Sequence, residues 1–151
     1  EVMLLTRNPS KQQLGLSLGA DLAAGSPNEA REHWREGADL VVEAAGVRAT
    51  VEMSPGLACT GGRIVVLGVL AQGATVSIEP FDLLFREIQM HYSFLNPFTH
   101  ERAARMIANK AIDIEPLVTR TIRLDDVADV VSHAAPDGEV RAIAVPDLAG
   151  S

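Results

Sequence analysis

With 151 residues, 47% of them hydrophobic, and a net charge of -7, the chain can bury one sizeable core and is a poor match for nucleic acid or an anionic membrane surface. No apolar run approaches the length of a membrane span, and the single cysteine, Cys59, excludes an internal disulfide and a cysteine-cluster metal site. Aromatic residues make up only 4%, so no stacking platform for bases is present, and the cysteine usage fits a reducing cytoplasm.

Residues 1–6 (EVMLLT) predict a strand that begins at Glu1 with no signal-peptide pattern. A turn with Pro9 leads into a helix over 11–18, which Gly19 stops. A short strand over 20–24 follows, then a charged helix over 27–36 with Ala30, Trp34 and His33 turned inward. Residues 39–69 (DLVVEAAGVRATVEMSPGLACTGGRIVVLGV) read as strand, glycine turn, helix over 48–59, glycine stop at 60–62, strand and a last glycine. Cys59, placed in that helix, reads as a small buried hydrophobe. Apolar runs joined by a helix suggest parallel strands covered on both faces, with ligands docking outside their C-terminal ends, where Gly46 and Gly68 lie. Glycines there let a ligand approach the backbone closely.

Beyond a turn at Gln72-Gly73, residues 75–79 are extended and 80–86 helical, with Phe81, Leu84 and Phe85 apolar. Residues 88–95 (IQMHYSFL, Ile88 to Leu95) alternate at the strand period. Thr99 is placed to cap a helix over 100–110. After a connector at 112–116 come a strand over 117–124, a helix capped by Asp125 or Asp126, a turn at 136–138 and a strand over 139–145. The tail at 148–151 is given no structure. The four histidines, His33, His91, His100 and His133, show no metal-ligand spacing.

The segments LLTRNPSKQQLGLSLGAD, DLVVEAAG, GGRIVVLGV, EPFDLLFREIQ, SFLNPF and LVTRTIRLDDVADVV, in this order and spacing, resemble a medium-chain dehydrogenase/reductase. The branch they are similar to holds the zinc-dependent sorbitol and threonine dehydrogenases. The resemblance covers essentially the whole chain. It implies an α/β fold: a Rossmann-type doubly wound parallel sheet lacking its first strand and GxGxxG turn. Residues 1–115 would be a partial dinucleotide-binding domain, and 116–151 the C-terminal segment of a GroES-like catalytic domain. In that family a zinc-bearing domain, a first strand and GxGxxG come earlier, and no GxGxxG occurs here. The chain is therefore expected to be a C-terminal fragment. The first strand is central to the family's sheet, so an apolar slot with two unpaired edges is expected, and instability unless something fills it.

The resemblance also implies site residues. Thr6 and Arg7 match the strand end that meets the adenosine ribose; an acid there selects NAD. Thr6 is uncharged, and Arg7 and Lys11 can bind a phosphate, which favours NADP over NAD. The alternative makes Thr6 a β-former and Arg7 a solvated turn residue. Ala45, Gly46 and Val47 match positions beside the adenosine ribose, and Leu67, Gly68 and Val69 positions beside the nicotinamide. Leu95 and Asn96 match backbone groups that hold the carboxamide. Arg141 matches a basic residue that reaches the pyrophosphate, with a surface salt bridge as its alternative. Glu43 reads as a cap partner or as facing the crevice, not as catalytic. Ser93 stands where polyol dehydrogenases of the family carry a substrate-contacting Arg, which argues against a sorbitol-like substrate.

The implied activity is hydride transfer between a secondary alcohol or polyol and NAD(P), with zinc expected only in a part this chain lacks and no turnover from this chain alone. Two other readings stand beside it: a zinc-free quinone-reductase-like enzyme, and a non-catalytic dimerisation or nucleotide-binding remnant. The edge strand at 88–95 implies a homodimer or homotetramer, with Phe81, Leu84 and Phe85 contributing to the interface or to the core.

Overall fold

The computed structural model describes residues 1–136 and 138–146. The tail at 148–151 and Asp137 of the expected turn lie outside the described residues. Seven strands and six α-helices alternate among the described residues: β1 (Met3–Leu5), α1 (Pro9–Ser17), β2 (Leu22–Ala24), α2 (Pro27–His33), β3 (Ala38–Glu43), α3 (Arg48–Met53), β4 (Ala58–Val66), α4 (Pro80–Phe85), β5 (Gln89–Tyr92), α5 (His100–Ala108), β6 (Arg120–Arg123), α6 (Val127–Ser132) and β7 (Ala142–Val145). Every strand pairing is parallel: β1 with β2, β3 with β4 with β5, and β6 with β7. The fold is α/β and Rossmann-like.

Local chemistry sets the first elements. Asn8 caps α1 by accepting the Lys11 N–H at 3.1 Å, and Pro9 needs no donor at the helix start. Ser26 caps α2 by accepting the Glu29 N–H at 3.2 Å, while Glu29 reaches back to the Gly25 N–H at 2.7 Å. Ala30 is buried and Trp34 half-buried, but His33 is exposed, contrary to the inward placement read from the helix. The α2 helix ends too early to turn it in.

The core lies on the β3–β5 sheet. Val51, Ala58, Ile64, Val66 and Ile88 are buried together, with Val41, Val76, Ile78 and Leu83 packed on them. Burying Ile64 and Val51 completely contributes about 1.5–3 kcal/mol each. Residues 75–79, expected as extended, form no strand, yet Val76 and Ile78 cover this core.

Several expectations are corrected. The helix over 48–59 is cut to Arg48–Met53, because Pro55 lacks an amide donor, and a 3-10 turn at Ser54–Leu57 follows. Residues 60–62 do not stop a helix; they lie inside β4 and absorb a register shift, with Ala38 opposite Ala58 but Leu40 opposite Arg63. Cys59 is accordingly a half-buried strand residue, its Sγ 3.7 Å from Asp39 Oδ1, not a buried helix residue. The strand over 88–95 is only Gln89–Tyr92; Leu95 turns to a φ of +54°, which no strand permits. Thr99 does not cap α5 with its side chain, because its hydroxyl donates to Asn96 O at 2.8 Å. Neither Asp125 nor Asp126 caps α6 with its carboxylate; both fall in a 3-10 turn.

The expected slot is present. Among the described residues β1 pairs with β2 alone and β3 with β4 alone. Between β1 and β3 lies a cleft of about 360 Å³, lined by Leu5, Trp34, Leu40, Val42 and Met53. Leu40 and Val42, in the middle of an apolar strand, remain 50% and 52% exposed. Two facing unpaired edges of this kind invite another strand.

Two carboxylates tie later segments to this frame. Glu52 accepts the Ser77 N–H at 2.7 Å and pairs with Arg48, and these donors hold its pKa below the usual value. The hydrogen bond from Arg86 does the same for Asp82. A carboxyl group with a lowered folded pKa contributes stability that is present above the unfolded pKa and is lost as pH falls through the folded one. The urea midpoint should therefore hold from neutral pH down to about pH 5 and drop below about pH 4. A Glu52→Gln/Asp82→Asn protein with an unchanged acid dependence would exclude these two groups as its source.

Candidate functional site

The site forms at the C-terminal ends of β3 and β4. After Glu43 the chain turns through Ala45 and Gly46, and Val47 begins α3. After Val66 it turns through Leu67 and Gly68 to Val69. One residue holds both turns. The Glu43 backbone carbonyl accepts the N–H groups of Leu67 at 2.8 Å and Gly68 at 3.1 Å. Its carboxylate Oε1 accepts the N–H groups of Ala45 and Gly46, each at 2.9 Å, and the Thr50 hydroxyl at 2.6 Å. Glu43 is 4% exposed, and its Oε2 has no hydrogen-bond partner.

The glycines serve this contact first. Gly46 has a φ of +67°, a conformation that side chains disfavour. A Cβ on Gly68 would lie 2.1 Å from Gly46 N and 2.5 Å from Glu43 Oε2. A Cβ on Gly46 would lie 2.8 Å from the Val69 backbone. The sequence pattern assigns these glycines to ligand approach; the structure shows them packed backbone to backbone.

Gly68 and Val69 also line a hollow of about 400 Å³ with Tyr92, Ser93 and Phe94. The Ser93 N–H donates to Val66 O at 3.0 Å, which fixes the start of the following loop beside β4. Leu95 and Asn96 stand in that loop; Asn96 O accepts from Thr99, and Leu95 keeps its left-handed backbone. A left-handed non-glycine residue costs on the order of 1 kcal/mol and clusters at functional sites.

Thr6 and Arg7 lie at the C-terminal end of β1, across the cleft from β3. Thr6 is locked by its backbone: its N–H donates to Ala24 O at 2.9 Å, and its carbonyl accepts from Gln12 Nε2 at 2.7 Å. Arg7 and Lys11, either side of the start of α1, are both exposed. Arg141 sits apart, just before β7, exposed, with its carbonyl accepting the Thr119 N–H at 3.0 Å. The structure thus joins Gly46 to Gly68 and Val69, sets Ser93 and Phe94 beside the latter two with Leu95 and Asn96 following in the loop, and leaves Arg141 beside β6 and β7.

Sequence reasoning read Glu43 as a cap partner or as facing the crevice, and it bonds the turn that opens α3 and lines the cleft. What it missed is that the Glu43 carbonyl also holds the turn after β4. Among the described residues no group of three His, Cys, Asp or Glu side chains could hold a metal ion.

Comparisons with known proteins agree with this geometry. A zinc-binding dehydrogenase family model matches residues 1–110. A solved structure from Sinorhizobium meliloti 1021, described as a candidate zinc-binding dehydrogenase bound to NADP, is 42% identical, superposes with a TM-score of 0.91, and is matched over 96% of this chain and 45% of that one. A candidate D-xylulose reductase of Rhizobium meliloti (strain 1021) is 31% identical over 93 residues, 60% of this chain and 25% of that protein. Sorbitol dehydrogenase of Gallus gallus is 27% identical over 132 residues, 82% of this chain and 37% of that protein. The chain spans a quarter to two fifths of the length of these curated relatives. With its strand-end glycine turns in place and well over half of its residues matched, the chain belongs to the zinc-binding dehydrogenase family.

Proposed function

We propose that this chain supplies the nicotinamide-dinucleotide side of an NAD(P)-dependent alcohol or polyol dehydrogenase. The observation that carries this reading is the pair of glycine turns, packed on each other at the ends of adjacent parallel strands and clamped by Glu43. Turns at the C-terminal ends of adjacent parallel strands line the crevice in which dinucleotides dock outside the sheet. In this reading Ala45, Gly46 and Val47 face the adenosine ribose, and Leu67, Gly68, Val69, Leu95 and Asn96 the nicotinamide. Arg141 is assigned to the pyrophosphate. Residues 1–115 form the dinucleotide-binding part and 116–151 a segment of the catalytic domain. The dinucleotide, when bound, supplies the hydride-transfer chemistry; these residues bind and orient it.

The cofactor is NADP. Thr6 brings no negative charge to the ribose position, and Arg7 and Lys11 stand exposed beside it. The NADP bound to the 42%-identical Sinorhizobium protein supports this choice. Among the described residues no group of His, Cys, Asp and Glu fits a zinc centre. The substrate is a small secondary alcohol or polyol, as the names of the sorbitol dehydrogenase and xylulose reductase relatives suggest.

The protein pairs with a second copy of itself as a homodimer or homotetramer. Support comes from the outer edge of β5, which no described strand covers, and from Phe81, Leu84, Phe85 and Tyr92, all at least 68% exposed. The reading places the protein in the cytoplasm, on its cysteine usage. No described helix is long and apolar enough to cross a membrane.

Titration with NADPH and NADH tests the reading. NADPH should bind at least about tenfold more tightly, and an Arg7→Ala/Lys11→Ala protein should lose most of that preference. Equal affinities, or tighter NADH, would reject the NADP assignment; absence of binding to either would reject the dinucleotide site.

A further inference from the structure

Gln12 lies in the first turns of α1, half-buried, with its side chain turned back toward the end of β1. Its Nε2 donates to the Thr6 carbonyl at 2.7 Å; only the NH2 end of an amide can meet a carbonyl. Further bonds close the same corner. The Gln12 N–H donates to Asn8 O at 3.0 Å, the Lys11 N–H to Asn8 Oδ1 at 3.1 Å, and the Thr6 N–H to Ala24 O at 2.9 Å. Gly25 leaves room for the amide, since an added Cβ there would lie 3.3 Å from Gln12 Nε2.

This corner has one orientation. The peptide joining Thr6 to Arg7 is trans, so its C=O and N–H point in opposite directions. Pinning the Thr6 carbonyl to α1 therefore turns the Arg7 N–H away from the Gln12 amide. The same bond masks a carbonyl oxygen whose partial negative charge would oppose an incoming anion.

We propose that Gln12 is a positioning residue for the phosphate ester that NADP carries and NAD lacks: by holding the Thr6 carbonyl it presents the Arg7 N–H to that phosphate, beside the Arg7 and Lys11 cations. The inference rests on the NADP reading above. A backbone N–H to a phosphate oxygen is a charge-assisted bond, and NADH has no group at that place to accept it.

The test is the affinity of the wild type, Gln12→Leu and Gln12→Met for NADPH and NADH. Both variants remove the donor and keep a good helix former. Each should weaken NADPH at least about tenfold and NADH less than about threefold. A tie that only fastened α1 to β1 would weaken both cofactors alike, or lower the thermal midpoint and leave the ratio of affinities unchanged; either result overturns the proposal. Amide hydrogen exchange of the wild type decides the matter without a variant. NADPH should protect the Arg7 amide and NADH should not, and equal protection overturns the proposal. A wild type that shows no preference for NADPH ends the NADP reading and this inference with it. A preference that Arg7→Ala/Lys11→Ala abolishes and both Gln12 variants retain ends this inference alone.

Discussion

A Gly68→Ala protein is expected to lose its affinity for a nicotinamide dinucleotide and a large part of its stability. The added Cβ would fall 2.1 Å from Gly46 N, 2.4 Å from Gly46 Cα and 2.5 Å from Glu43 Oε2. Two of these three are backbone atoms, which cannot swing aside as a flexible side chain would. One of the two turns must move, and the Glu43 bonds that hold both must stretch with it. Overpacking of this sort costs about 3 kcal/mol or more, a fall of roughly 6–12 °C in melting temperature for a chain of this size. Gly73→Ala provides the comparison. That glycine has a φ of +82° but nothing within 4 Å of an added methyl, so only the backbone preference is lost, about 1 kcal/mol. Equal melting temperatures for the two variants would show that the turns do not interlock.

The second large effect is expected at Arg86. Its guanidinium donates to Ala58 O at 3.0 Å and Pro55 O at 2.8 Å, and pairs with Asp82 one turn earlier. Its own carbonyl accepts the Gly61 N–H at 2.7 Å. One side chain thus joins α4 to the turn that starts β4, at the point where Pro55 has broken the preceding helix. Arg86→Ala leaves two carbonyls and a carboxylate without their donor, at a cost of about 2–4 kcal/mol. Arg86→Lys keeps the charge but cannot reach three acceptors in a fixed fork, so it should recover less than half of the loss. Urea unfolding of the three proteins decides the matter. A loss under about 0.5 kcal/mol for Arg86→Ala would class the contact with ordinary exposed ion pairs.

What the sequence disclosed depended on how local the cause was. The apolar runs of β3 and β4, the glycines at their ends and the alternation of strands with helices are period and punctuation, and all appear where the pattern placed them. The cleft was not legible in the pattern of the strands; it was expected only from the family resemblance, which implies a missing central strand. Errors arose where two local signals competed. Pro55 outweighed the helical pattern of 48–59, and the glycines at 60–62, which look like a stop, became a bulge inside a strand because β3 lies beside them. Leu95 completes an alternating run, yet the following Asn96-Pro97 loop requires a reversal that the strand period cannot show. The Glu43 clamp was hidden for a different reason. The bonds from Glu43 to its own turn follow from spacing, but its carbonyl also holds the turn after β4, some twenty residues on, and that is a contact in space that no local spacing shows.

The cleft between β1 and β3 has a consequence for how this chain loosens. Among the described residues no backbone ladder crosses it, and the β1–β2 layer is tied to the β3–β5 layer through side chains: the bond from Arg31 Nε to Gly56 O at 3.1 Å is one such tie. The amides of β4, in the middle of the larger sheet, are therefore expected to exchange with solvent only on global opening. Those of β1 and β2 are expected to exchange through a cheaper, separate event, which hydrogen exchange read strand by strand checks. The end of β1 at Thr6–Arg7, proposed above to meet the nucleotide, belongs to the layer expected to open first, and the paired glycine turns to the layer expected to open last.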